Sequence, residues 1–386
     1  MRLPTIPDLG DLRGRSVLLR ADLNVPLRGG EVTDDTRIRE VVPTIRELRE
    51  AGAAVTVCSH LGRPRGRPDP EFDMAPVRKR LAELAPGVEL LENLRYDAGE
   101  EAGDPAFAER LVAGHDIFVN DAFGACHRSH ASVVGPPRLL PSAAGLLVLA
   151  EVAEILSLRR APRRPFVVVL GGAKVADKLG VVRAVCDLAD AVLVGGAMCF
   201  TFLAAAGHRI GDSYCDLDRI EDCRALLAAD LPLHLPEDLV GMGPGGRLGD
   251  PSAGGAVRQF GADLPDGWLG ADIGPGTAAA FADMIADAGT VFWNGPLGAF
   301  EDPRFAAGTF TVAEALAETR AHTVVGGGDS GAALTSMGLA HSVSHLSTGG
   351  GASLQLLEHG DLPGLATLRE SAERLELPTH EVEERG

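Results

Sequence analysis

Lysine is nearly absent from this chain: only Lys79, Lys174 and Lys178 occur, and every other fixed cation is an arginine. Cations of both kinds are outnumbered, 36 Lys+Arg against 54 Asp+Glu, for a formal charge of −18. That balance argues against a general nucleic-acid or anionic-membrane binder, which needs positive surface. A small anionic substrate would need its cations gathered locally. No C-x-x-C pair exists among the six cysteines (Cys58, Cys126, Cys186, Cys199, Cys215 and Cys223). They read as reduced, buried small hydrophobes rather than a disulfide framework or metal site. No apolar stretch reaches the ~20 residues that cross a bilayer. The first residues carry Arg2, Asp8, Asp11 and Arg13 instead of an apolar leader. A soluble, cytoplasmic protein with no membrane or nucleic-acid partner is expected.

The chain has 386 residues, 45% apolar and 23% charged, which suits two globular domains of about 150–200 residues each. Short Val/Ile/Leu-rich runs at 16–23, 53–59, 88–94, 117–120, 166–170, 191–194, 231–235, 291–293 and 323–325 predict strands. Helical patterns such as 37–51 and 74–84 lie between them. Alternation of this kind predicts an α/β protein with mostly parallel, doubly wound sheets in two halves. The segment 143–165 is the linker: LLVLAEVAEILSLRR reads as a helix, and APRRP stops it. The stretch 241–255 is glycine-rich and reads as a loop.

Nearly every strand ends in a polar or glycine cluster: RADLN, CSHLGR, LLENLR, FVNDAFG, VLGGAK, LVGGA, FWNGP and VVGGGDS. In open parallel sheets ligands bind outside the carboxyl ends of strands, so the clusters suggest two binding faces. The first half gathers cations. Asp22 and Asn24 are two apart and point to one side. Arg37 opens a helix, while His60, Arg63, Arg95 and Arg128 follow other strands. Converging arginine forks make a polyanion pocket; the plainer alternative is a set of solvated surface charges. The second half reads as a nucleotide site. Gly171-Gly172-Ala173-Lys174 follows a strand and opens a helix on which Lys174 and Lys178, four apart, share a face. Gly326-Gly327-Gly328-Asp329-Ser330 repeats the device. Its glycines form an anion nest, Asp329 is the Mg²⁺ candidate and Ser330 a helix cap, or the segment is a tight turn capped by Asp329. Gly241, Gly243 and Gly246 match G-x-G-x-x-G, but Pro244 and the following RLGDPSAGG deny the helix that a dinucleotide fingerprint needs. Trp268 and Trp293 read as core or domain-surface residues.

Together these residues resemble the phosphoglycerate kinase family over nearly the whole chain. The matching segments are RADLNVP (20–26), SHLGRP (59–64), LLENLR (90–95), VNDAFG (119–124) with HRSH (127–130), LGGAKVADK (170–178), WNGPLGAFE (293–301), GGGDS (326–330) and STGGGASL (347–354). The resemblance implies two Rossmann-like doubly wound domains joined by a hinge helix. The expected division is 1–145 for the acid-binding domain, 146–165 for the hinge and 166–355 for the nucleotide domain. Residues 356–386 are expected to return to the first domain and end in a tail, with HEVEERG disordered. The implied reaction is reversible phosphoryl transfer from 1,3-bisphosphoglycerate to ADP, giving 3-phosphoglycerate and ATP by hinge closure and in-line transfer. By motif, Asp22, Asn24, Arg37, His60, Leu61, Gly62, Arg63, Arg95 and Arg128 correspond to the 3-phosphoglycerate site. Lys178, Gly195, Gly196, Gly270, Asn294, Glu301, Gly327, Gly328, Asp329 and Ser330 correspond to the ATP/ADP site, with Asp329 holding Mg²⁺ and Glu301 the ribose. Arg37, Lys174 and Lys178 are the expected catalytic cations, and the protein is expected to be a monomer.

The sequence departs from the family pattern at Ser330, where threonine is usual, at Ala197 and Cys199, at Ala125-Cys126, and in a C-terminal extension. Rivals are a paralogous kinase of a different carboxylate, a non-catalytic nucleotide-binding regulator and a nicotinamide dehydrogenase. The first would not need Arg63, Arg95 and Arg128 together. The second would have lost Lys174, Lys178 or Asp329, and the third needs the fingerprint that the context denies.

Overall fold

The computed structural model of the chain describes residues 1–176 and 178–382. The chain forms two compact units, one of residues 1–155 with the stretch from Gly351 onward, the other of residues 156–350. The division falls inside the helix Leu146–Arg160, whose bounds match the LLVLAEVAEILSLRR segment.

The first unit is built on five parallel strands: Ser16–Ala21, Ala54–Cys58, Glu89–Leu90, Ile117–Asp121 and Ser142–Ala144. Numbered by chain order, they lie side by side as 3-2-1-4-5. The central strand SVLLRA is buried along nearly its whole length, as expected for a parallel strand covered on both faces. Val17 and Leu19 face the helix Thr36–Glu50 and its Ile38, Val41, Ile45 and Leu48, an apolar stripe at helical spacing. Leu18 and Phe118 face the opposite layer with Phe107 and Leu111. The winding reverses between Ser16–Ala21 and Ile117–Asp121, and the carboxyl ends there are the topological switch point.

The second unit repeats the plan with six parallel strands: Phe166–Leu170, Ala191–Val194, Leu233–His234, Thr290–Asn294, His322–Gly326 and His345–Ser347. Their order is 3-2-1-4-5-6, so its switch point lies beyond Leu170 and Asn294. Between the third and fourth strands the chain inserts a small antiparallel sheet of Asp238–Met242, Val257–Gly261 and Leu269–Ile273, with the first of these in the middle.

Three expectations are corrected. The 88–94 run is a strand only over Glu89–Leu90, because the Asn93 side chain binds both backbone groups of Leu61, accepting at 3.2 Å and donating at 2.7 Å, and turns the chain. Gly241 belongs to the antiparallel strand Asp238–Met242 rather than to the glycine-rich loop. The first residues of the expected tail form a strand, His380–Glu381. The helix Pro363–Leu375 bonds to the first unit through Ser371 Oγ to the Leu140 carbonyl (3.1 Å) and Arg374 Nη2 to the Pro137 carbonyl (2.9 Å). His380–Glu381 then pairs antiparallel with Arg2–Leu3, and the Met1 amine meets Glu381 Oε1 at 2.8 Å. Residues 383–386 of the expected tail lie outside the described residues.

Candidate active site

The carboxyl end of the central strand of the first unit delivers Arg20, Asp22 and Asn24. Asp22 is buried and bonded to Arg37 Nη1 from the first turn of the helix Thr36–Glu50. Burial raises its pKa, but the charges of Arg37 and Arg20 outweigh that and hold it at about 2. Asn24 Oδ1 accepts the Gly62 N–H at 2.8 Å, which ties the first loop to the second. Gly62 has φ +59°, and a Cβ there would meet the Phe72 ring at 2.1 Å, so only glycine closes this turn. Leu61 is buried and pinned by Asn93. Arg95 is also buried; its Nη1 donates to the Gly62 carbonyl at 2.6 Å and its Nε lies 3.3 Å from Glu101. Burial, with Arg128 nearby, pulls Arg95 down to about 10. A guanidinium placed there without full compensation is a standing demand for an anion.

His60 sits at the centre. Its Nδ1 is 3.0 Å from Arg20 Nη2, and burial pushes its pKa well below the usual value, with Arg20, Arg95 and Arg128 adding to the effect. Arg20 in turn donates from Nε to Ser132 Oγ at 2.9 Å, and Ser132 Oγ donates to the buried Glu100 at 2.7 Å. Arg128 Nε donates to His127 Nε2 at 3.2 Å. Direct bonds therefore link Arg37, Asp22, Asn24, Gly62 and Arg95 in a chain, while His60 is bonded to Arg20 and Leu61 to Asn93, and the Arg128 charge acts on His60 and Arg95. Arg63 is exposed and joins none of those bonds. Sequence reasoning missed Arg20, Ser132 and Glu100. Arg20 was within reach, because the two-residue alternation that flags Asp22 and Asn24 also includes it.

In the second unit the turns after three strands interlock. Gly171 N–H donates to the Asn294 carbonyl (3.0 Å), Gly172 N–H to Pro296 (2.9 Å) and Gly196 N–H to Leu297 (2.9 Å). A Cβ on Gly171 would meet the Pro296 oxygen at 2.1 Å. One on Gly195 would meet Leu297 at 2.5 Å, and one on Gly196 the Gly172 nitrogen at 2.5 Å. Close backbone packing alone thus accounts for glycine at these positions.

The expected lysine pair is corrected. The helix begins at Leu179 with Lys178 as its N-cap, so Lys174 lies in the preceding loop, exposed, and shares no helical face with Lys178. Lys178 Nζ donates to the Gly171 carbonyl (2.6 Å) and to Asn294 Oδ1 (3.0 Å), directly at the switch point. Asn294 Nδ2 is buried and has no hydrogen-bond partner among the described residues. Ser330 does not cap its helix either. It is buried, its Oγ accepts the Gly295 N–H at 2.7 Å, and Gly327, at φ +97°, stands at the cap. Asp329, in the first turn of Gly328–Ser336, is exposed.

Beside these turns lies a cavity of about 250 Å³ lined by Gly172, Gly196, Gly270, Glu301 and Asp329 at its polar parts and by Phe200, Leu248 and Leu297 elsewhere. Ala197 and Cys199, two of the departures, also line it. Lys178, Gly195, Asn294, Gly327, Gly328 and Ser330 are not part of this lining. Asp272 lines it too; burial pushes its carboxyl up to about 7 although the N–H groups of Gly308 (2.8 Å) and Ile273 (2.9 Å) donate to it.

Comparison with known proteins identifies the family. A family model described as phosphoglycerate kinase matches residues 6–89 and 85–360. The chain belongs to the phosphoglycerate kinase family. It is 49% identical to the phosphoglycerate kinase of Rubrobacter xylanophilus over 94% of this chain and 97% of that one, and 48% identical to that of Salinispora arenicola over 95% and 100%. Among solved structures it is similar to phosphoglycerate kinases of Coxiella burnetii (TM-score 0.82, 34% identity) and Pyrococcus horikoshii (TM-score 0.84, 30% identity), each over 96% of this chain and all of the other. The phosphoglycerate kinase match ends at residue 360, so the helix Pro363–Leu375 and the terminal strand lie beyond it. No helix among the described residues is long and apolar enough to cross a membrane.

Proposed function

We propose that the protein catalyses reversible phosphoryl transfer from 1,3-bisphosphoglycerate to ADP, yielding 3-phosphoglycerate and ATP, as a cytoplasmic monomer. The observation that carries the reading is the arginine cluster at the first switch point: Arg20 and Arg95 lie in the protein interior, Arg128 acts on the same histidine, and Arg37 is bonded to the neighbouring Asp22. Several guanidinium groups held this close need an anion of more than one charge. A carboxylic acid with a distal phosphate supplies it; a plain carboxylate leaves Arg63, Arg95 and Arg128 unmatched, which disfavours the paralogue reading.

In this reading Asp22, Asn24, Arg37, His60, Leu61, Gly62, Arg63, Arg95 and Arg128 hold the acid. Asp22 orients Arg37, and His60 contributes a neutral donor. Lys178, Gly195, Gly196, Gly270, Asn294, Glu301, Gly327, Gly328, Asp329 and Ser330 hold the nucleotide, with the unpartnered Asn294 Nδ2 supplying a donor to a phosphate oxygen. Ala197 and Cys199 narrow the base end of the cavity. Asp329 fits Mg²⁺: its carboxylate is exposed toward the cavity and has no protein partner among the described residues, and hard divalent cations choose such oxygens. When bound, the ion would neutralise nucleotide phosphate charge. Transfer itself needs little covalent help, so alignment and charge neutralisation by Arg37, Lys174 and Lys178 dominate. The reading includes the hinge closure that the family resemblance implies, since transfer must exclude water.

The test is ADP formation from MgATP with 3-phosphoglycerate, coupled to removal of the acyl phosphate, against glycerate, 2-phosphoglycerate and no acid. Turnover with 3-phosphoglycerate alone is expected. Nucleotide binding without turnover on that acid would overturn the substrate assignment.

A further inference from the structure

The glycine-rich loop 243–255 has no place in the site described so far, yet its Leu248 lines the nucleotide cavity. The loop joins the antiparallel strands Asp238–Met242 and Val257–Gly261 and contains Gly243, Gly245, Gly246, Gly249, Gly254 and Gly255. Glycine loses more freedom on ordering than any other residue, so such a loop is costly to order. Short bonds within it, such as the Asp250 N–H to the Arg247 carbonyl at 3.3 Å and the Ala253 N–H to the Asp250 carbonyl at 3.1 Å, shape its turns, and it is also held from outside. Arg304 donates from Nη1 to the Gly254 carbonyl at 3.1 Å, and from Nη2 to the carbonyls of Arg247 at 2.9 Å and Asp250 at 3.4 Å. The same guanidinium is forked onto Asp302, Nε to Oδ1 at 2.9 Å and Nη2 to Oδ2 at 2.6 Å. Asp302, only 1% exposed, also accepts the Gly249 N–H at 3.1 Å. Leu248 is therefore bracketed: the residue before it is tied to Arg304 and the residue after it to Asp302. Glu301, the neighbour of Asp302, lines the same cavity.

We propose that Arg304 is a positioning residue for the nucleotide: with Asp302 it fixes the loop 243–255 as one wall of the cavity and presents Leu248 to the apolar face of the bound purine. The proposal rests on reading that cavity as the nucleotide site. A leucine offers area and no hydrogen bond, so the wall strengthens binding of any purine nucleotide without choosing between adenine and guanine.

The experiment is equilibrium binding of MgADP and MgGDP to the full chain, to Leu248→Ala, to Arg304→Ala, to Arg304→Lys and to the double variant Leu248→Ala/Arg304→Ala. Each single alanine change is expected to weaken both nucleotides by about tenfold, the ratio for losing most of one apolar side chain's contact. Arg304→Lys, which keeps the charge and loses the fork, should fall between parent and Arg304→Ala. The double variant should bind no worse than the weaker single one, because Arg304 acts through Leu248. The loss should appear in KM for MgATP and not in KM for 3-phosphoglycerate. Leu248 is 41% exposed, so its truncation leaves the fold intact and keeps the test available if Arg304→Ala does not fold. Unchanged affinity in Leu248→Ala, or losses that multiply in the double variant, would overturn the proposal. Failure of the parent protein to bind MgADP would instead remove the reading of the cavity, and the wall with it.

Discussion

Arg20 and His60 share a buried contact of 3.0 Å between Nη2 and Nδ1. A guanidinium has donors only, so Nδ1 must be the acceptor and the imidazole keeps its proton on Nε2. The neighbouring arginines and burial both oppose a second proton. His60 is thus a fixed neutral donor, and nitrogen NMR on the full chain should show an Nε2–H ring that stays neutral at about pH 6.5, where a free imidazole is half protonated. A cationic ring at pH 6 would contradict this contact. His60→Gln, which keeps a donor, should retain more affinity for 3-phosphoglycerate than His60→Ala.

The same field should make the first unit acid-sensitive. Burial is the largest cause pulling His130 down to about 4, followed by Arg95 and Arg128, and burial also lowers His127. In the unfolded chain each titrates near 6.5. The folded state therefore binds fewer protons, so stability is full above about pH 6.5 and falls as pH drops, for His130 until about pH 4. Denaturant midpoints measured from pH 7.5 to 4.5 should show the parent losing ground to His130→Asn as pH falls, a comparison that cancels the opposing contribution of buried carboxyls. A difference between the two that is level over this range would count against the burial argument.

Asp121 should show the opposite sign. Burial raises it to about 7, despite bonds from the Leu147 (2.9 Å) and Val148 (3.3 Å) N–H groups at the start of the linking helix, and its second oxygen has no hydrogen-bond partner among the described residues. The folded state holds a proton that the unfolded chain releases near pH 4, so this group's contribution falls as pH rises from about 4 through 7. Asp121→Asn keeps an acceptor for the helix and cannot ionise. Its Tm relative to the parent should therefore improve between pH 5 and pH 8; a pH-independent difference would show that the carboxyl is already ionised at pH 5.

How far the sequence was legible depended on which force set each feature. Strands buried on both faces, such as Phe166–Leu170 and Ala191–Val194, were readable because burial demands an unbroken apolar run. The edge strands Ser142–Ala144 and His345–Ser347 were not, because small and polar residues there pair by backbone alone. The antiparallel sheet around Gly241 was hidden by its glycines. Motifs located the binding faces, but local propensity misplaced Lys174, since the helix start is fixed by the interlocked glycine turns rather than by the lysines. Arg20 and Glu100 were missed because charged residues buried on long-range partners leave no local pattern.

Ser330 offers a clean separation of hydroxyl from methyl. Its Oγ accepts the buried Gly295 N–H at 2.7 Å, and that glycine's turn packs on Gly171. Ser330→Ala strands a donor, which costs about 1–3 kcal/mol, and should weaken MgADP binding along with stability. Ser330→Thr keeps the acceptor and should leave both within error of the parent if the added methyl finds room. Equal losses in the two variants would point to packing rather than the hydrogen bond.

Arg37 carries two duties that a single substitution confuses. It bonds the buried Asp22, and it is the cation proposed to act on the transferred group. Arg37→Ala should cut kcat by a factor on the order of 10²–10³, as for loss of a charge acting on the transition state. It should also destabilise the first unit, because Asp22 is left as a buried carboxylate without its main partner. Adding Asp22→Asn removes that stranded charge. The double variant should therefore recover most of the lost Tm and none of the lost kcat. Recovery of both would mean that Arg37 only keeps Asp22 in place. Recovery of neither would mean that the helix Thr36–Glu50 depends on the pair itself. Lys178→Ala, in the second unit, should lose kcat to a similar degree while leaving the stability of the first unit unchanged.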